Sequence, residues 1–130
     1  RISGLRAVRA FYREALAGMH FLRLLEIRED EGELPLWTEV LCANRDGIVA
    51  ALRERGVEAR PAPPCLADAP HLGTGGAFPN ARFFAGHTLV LPSGPHQGEE
   101  RLARVAEALR SLPAELRVPA PELPHESGAP

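Results

Sequence analysis

Lysine is absent from this 130-residue chain: all 15 of its basic side chains are arginine. No side chain can present an ε-amine, which excludes Schiff-base catalysis, a covalent pyridoxal phosphate anchor and a phosphate-loop lysine on this polypeptide. Long apolar runs are missing too, none approaching the ~18 residues of a membrane-crossing helix, so no membrane role is expected. Cysteine is scarce. Cys42 and Cys65 cannot build a disulfide framework, and they fit a reduced, cytoplasmic setting. There is no positive surplus either: the formal net charge is −2, with Arg and Glu interleaved as in Arg53-Glu54-Arg55 and Glu99-Glu100-Arg101. Nucleic acid is therefore not an expected partner, and these strings read as a solvated face. The chain opens at Arg1 with neither Met nor a basic-then-apolar leader, and reads as cut from something longer or trimmed.

What remains is the composition of one globular domain, 45% hydrophobic and 25% charged, able to bury roughly two-thirds of its unfolded surface. Leu5, Val8, Tyr12, Ala15 and Leu16 recur at helical spacing, and Gly18 supplies a stop. Phe21 to Ile27 and Leu36 to Cys42 are short apolar runs around the acidic turn Glu29 to Glu33, which predicts two strands in a hairpin, with Pro35 opening the second. Asn44 is an N-cap candidate and Asp46 suits the first turn of a helix carrying Ile48, Val49 and Leu52, which ends at Gly56. Val57 and Ala59 alternate with Glu58 and Arg60, predicting a third strand that Pro61 closes. After the Pro- and Gly-rich stretch from Pro61 to Ala77, Phe78 to His87 predicts a helix and Thr88 to Leu91 a strand. Gln97 to Leu112 predicts the clearest helix, with Leu102, Val105, Ala106, Leu109 and Leu112 as its buried stripe. Residues 113–130 hold five prolines and little apolar content, and read as a solvated, disordered tail. The fold class expected is α+β: one small domain over residues 1–112, with three or four mainly antiparallel strands and three or four packed helices.

No complete active site is legible in these residues. None of the histidines 20, 71, 87, 96 and 125 has ligand spacing, so no metal site is expected. Ser93 follows a strand and precedes a helix, yet Pro92-Ser93-Gly94-Pro95 lacks the glycine two residues upstream that a nucleophile elbow needs; a plain strand-to-helix turn is the expectation. Gly73-Thr74-Gly75-Gly76 has neither the spacing nor the lysine of a phosphate loop. Cys42, on an apolar strand, reads as a packed core thiol. The acidic turn is solubilising. No catalytic residue is assigned.

Two longer strings carry a resemblance. Asn44 to Leu52 leading into Arg55-Gly56-Val57-Glu58-Ala59-Arg60-Pro61 is one. Phe78-Pro79-Asn80-Ala81, followed by Leu89-Val90-Leu91-Pro92-Ser93-Gly94-Pro95 and the helix from Gln97, is the other. In this order they resemble the C-terminal small domain of the DegT/DnrJ/StrS aminotransferases, pyridoxal-phosphate enzymes that aminate nucleotide-linked keto-sugars; the likeness spans about Leu5 to Leu112. The resemblance implies that the cofactor and its lysine belong to a large domain upstream, that this chain binds no cofactor alone and is inactive alone, and that the full-length form is a homodimer. It also implies that the Arg60 to Asn80 loop faces substrate. Arg60 is then a candidate anion contact, against pairing with Glu58; Asn80 a reader of a sugar hydroxyl, against capping its helix; and Cys65 a member of the same edge. Many members carry aromatic residues and a histidine where this chain has Ala62-Pro63-Pro64-Cys65-Leu66-Ala67, which leaves the sugar open. The competing expectation is a stand-alone binding module or a decayed remnant of such an enzyme.

Overall fold

A computed structural model describes residues 1–73 and 76–125; Thr74 and Gly75, in the middle of the Gly-rich string, and the tail beyond His125 lie outside them. Four helices and four strands form one α+β unit, with helices α1 (Ile2–Ala15), α2 (Arg45–Glu54), α3 (Pro79–His87) and α4 (Glu99–Arg110), and strands β1 (Arg23–Leu24), β2 (Thr38–Leu41), β3 (Arg60–Pro61) and β4 (Thr88–Leu91). The sheet order is β1-β2-β4-β3 and every pair is antiparallel.

The stripes seen in sequence become the core. Val8, Tyr12 and Leu16 of α1, Ile48 and Leu52 of α2, and Leu102, Val105 and Leu109 of α4 pack together against Val40, Leu89 and Leu91 of the sheet. Val57, Ala59 and Cys42 join them, as their spacing required. Gly18 and Gly56 end α1 and α2 with φ of +85° and +75°, a conformation that a Cβ would penalise.

The strands are shorter than expected. Pairing begins only at Thr38, because the Thr38 N–H is taken by the Ser93 hydroxyl (3.0 Å), and Leu36 and Trp37 lie outside the strand with 60% and 61% of their surface exposed. Pro35 therefore precedes β2 without opening it. Of the third strand only Arg60 and Pro61 pair, with Val90 and Leu89, so Pro61 lies within the ladder and does not stop it. An edge position tolerates this, since its missing N–H is on no ladder that matters to a neighbour. Asn44 stands at the N-cap of α2 but makes no side-chain cap bond. Its amide donates instead to the Glu115 carbonyl (3.3 Å).

That bond belongs to the largest departure. The segment after Leu112, expected in solution, turns back over the domain as far as Ala120. Leu116 packs on the core, in a socket left by Gly47, where a Cβ would stand 2.8 Å from the Leu116 Cδ2. The Ala120 N–H then donates to the His20 carbonyl (2.9 Å).

Candidate functional site

The register aligns Glu39, Val90 and Arg60 in one row across β2, β4 and β3. Residues paired in this way share a face, and this face is opposite the one carrying Val40, Leu89 and Leu91. Because β3 is only two residues long, the sheet edge stays open toward α4. A cleft of about 920 Å3 lies here, lined by Trp37, by the row of Glu39, Val90 and Arg60, and by Arg101 and Arg104 of α4. Its wall includes the turn Pro92 to Gly94. Two bonds fix that turn: the hydroxyl of the fully buried Tyr12 donates to the Pro92 carbonyl (2.6 Å), and the Ser93 hydroxyl accepts from Thr38. Ser93 is thus a strand-to-helix turn residue, with its oxygen engaged in the sheet.

Arg60 does reach this cleft, and it pairs with Glu58 (2.7 Å), as the sequence allowed. Both side chains are about three-quarters exposed, at 75% and 77%. Such a pair is worth at most about 1 kcal/mol, so it leaves the guanidinium free to exchange partners. Cys65 is elsewhere: it is buried and lines a second cleft of about 430 Å3 with Arg45, Asp68 and Arg82. Arg82 is ion-paired to Asp68 and donates to the Ala77 carbonyl (2.8 Å), fastening the loop to α3. Pro61 borders both clefts. Asn80 lines neither, lies exposed in the first turn of α3 and makes no cap bond, the N-cap position being Phe78 in a left-handed conformation. The three residues therefore do not converge on one point.

A third cleft, about 340 Å3, lies beside α1 and is lined by Arg9, Arg13 and Glu26 among others. Arg9 is buried and donates to the Leu25 carbonyl. Burial pulls its pKa down while Glu29, Glu26 and Glu39 support the charge, so it acts as an internal tie between α1 and the chain after β1. The Cys42 thiol is pushed up to about 12 by burial, which makes it inert. No three His, Cys, Asp or Glu side chains come together as a metal site among the described residues.

Sequence reasoning missed Trp37, Arg101 and Arg104. Trp37 was assigned to a strand and Arg101 to a solvated face, and Arg104 was not singled out; the structure gives all three a common cleft.

By sequence, no protein-family model matches the chain and no curated protein matches it. By structure, it is similar to the aminotransferase TlmJ from Streptoalloteichus hindustanus, with a TM-score of 0.79, 21% identity, and coverage of 85% of this chain and 31% of that one. It is similar to a DegT DnrJ EryC1 StrS aminotransferase from Brucella abortus, with a TM-score of 0.71 and 19% identity over 85% of this chain and 30% of that one. DesI, whose structure was determined in the presence of its TDP-sugar product, gives a TM-score of 0.70 and 28% identity over 84% of this chain and 30% of its own. Over most of its length the chain thus has a fold found in DegT/DnrJ/EryC1/StrS-type aminotransferases, and it spans about 30% of the length of the chains it matches.

Proposed function

We propose that residues 1–112 are the C-terminal small domain of a pyridoxal-phosphate-dependent aminotransferase that moves an amino group from an amino acid to a nucleotide-linked keto-sugar, in a cytoplasmic homodimer. The observation that carries this reading is the fold match over 85% of this chain against only 31% of its partner in the comparison. A large domain is then the missing partner. The exposed apolar run of Leu34, Leu36 and Trp37 supports such a contact, since apolar surface of this kind marks interfaces. The residues present do not fit the cofactor itself: with no lysine in the chain, its covalent anchor belongs to the other domain, and no chemical step is assigned to these residues. Their task is to wall the substrate cleft, with Arg60 gripping an anionic group and the loop through Cys65 to Asn80 bordering the sugar.

The test joins this chain to its lysine-bearing domain and replaces Arg60 with Ala. A lost charge-assisted contact of about 1.5–3 kcal/mol predicts a rise in the sugar KM of roughly ten- to a hundredfold, with the melting temperature unchanged. A fall in stability with both Michaelis constants unmoved would make Arg60 scaffolding and refute its assignment.

A further inference from the structure

Arg9 of α1 carries an inference independent of the aminotransferase reading, in a cleft that shares no residue with the other two. A guanidinium has five N–H donors, and burying one without compensation is costly. Only 3% of Arg9 is exposed, yet the bond to the Leu25 carbonyl is the one hydrogen bond it makes among the described residues. Its Nε–H is buried with no partner, and its Nη1 amino group makes no hydrogen bond either. Glu29, Glu26 and Glu39 act on it through space. None of them pairs with it directly, and Glu29 is held by Arg13 (3.1 Å). The cleft that Arg9 lines holds about 340 Å3, far more than the roughly 30 Å3 of one water. Leu16, Leu22, Leu24 and Ile27 give this cleft apolar walls. Of its other charged residues, Arg13 is already paired, and Glu26 is exposed.

We propose that this cleft binds a small carboxylate on an apolar body, its oxygens accepting from the unused Nη donors of Arg9 and its hydrocarbon lying on the leucine walls. A carboxylate matches a guanidinium with two parallel N–H···O bonds and supplies the countercharge that no side chain brings within reach. Apolar surroundings strengthen such a bond by lowering the local dielectric. Two sources share this chemistry. One is a plain carboxylic acid, and the other an α-amino acid whose ammonium group meets Glu26.

The test titrates sodium isocaproate into the full chain and follows the arginine Nε–H resonances by heteronuclear NMR, with Arg9 assigned through the backbone of α1. Saturable movement of the Arg9 signal is expected, with a dissociation constant of about 1 mM, the range open to a ligand of this size. Signals of exposed arginines such as Arg6 stay in place. Isocaproamide has the same shape without the charge, and loss of the charge-assisted bond weakens its binding by about tenfold or more. R9K keeps the charge but not the fork and shows a similar loss by calorimetry. Should R9K fail to fold, A17F reads the same site, since Ala17 is exposed and lines the cleft. Its ring fills the space and weakens isocaproate to the same degree, with circular dichroism confirming its helices. No saturation at about 10 mM, equal binding of the amide, undiminished binding by A17F, or equal movement of all arginine signals overturns the proposal. L-Leucine separates the sources. Tighter binding than isocaproate, with the advantage lost in E26Q, identifies an amino acid; binding no tighter than isocaproate identifies a plain carboxylic acid.

Discussion

Replacing Tyr12 with Phe isolates one bond on which the wall of the large cleft depends. The Tyr12 side chain has no exposed surface, and its hydroxyl donates to the Pro92 carbonyl at 2.6 Å, joining α1 to the exit of β4. Burial also raises the phenol's pKa, so at neutral pH the group is a pure donor to that carbonyl. Phe keeps the ring and removes only the donor. A carbonyl deprived of its partner costs about 1–3 kcal/mol; Pro92 is half-buried and can recruit water, so about 1–2 kcal/mol is expected. With a urea m-value of about 2 kcal/mol/M for a domain of this size, the midpoint falls by about 0.5–1 M at constant m. Equilibrium urea unfolding followed by far-UV circular dichroism reads this directly. A fall below about 0.2 M would show that the turn at Pro92 holds itself and that the bond is incidental. A changed m-value would instead implicate the denatured state.

The strap and the buried thiol give two further expectations. Deleting residues 113–130 removes Leu116 from its socket and the Ala120 bond to His20, an expected loss of about 1–2 kcal/mol, or roughly 3–8 °C in Tm by calorimetry; an unchanged Tm would mean that the strap contributes nothing. Cys42 ionises from about 9 when unfolded but holds its proton to about 12 when folded. The folded state therefore binds the proton more tightly, and this contribution is complete below pH 9 and lost as pH rises toward 12. Urea midpoints at pH 8 and 10.5 should fall in that order for wild type, and fall less for C42A.

Helices were readable because a buried face repeats every turn: the stripes of α1 and α4 lie in the sequence as Leu5, Val8, Tyr12 and as Leu102, Val105, Leu109. Strand lengths were not, because pairing ends where a partner's N–H finds another acceptor, as Thr38 finds Ser93, and nothing local to residue 38 encodes residue 93. The strap was hidden for the same reason, since Leu116 is ordered by an absent side chain at Gly47. Arg60 was legible as an exposed residue at a strand end. Arg101 and Arg104 were not legible as cleft residues, since on α4 alone they are indistinguishable from any solvated pair, and only the tertiary packing places them beside Arg60 and Trp37.

The strand order has a consequence for how this chain assembles and changes. Its two central strands join Thr38–Leu41 to Thr88–Leu91, so the sheet cannot zip until everything between has been drawn into a closed circuit. Contacts of such long sequence separation make for slow folding. The cost of closing the circuit, however, grows only with the logarithm of its length, about 0.6 kcal/mol for each doubling. The register of β4 is held from both sides, by β2 and by β3, and does not rely on the stretch from Ala62 to Phe78. That stretch can gain or lose several residues at a small thermodynamic penalty while every strand stays in step, and it is where a lineage can vary length and sequence without rebuilding the sheet.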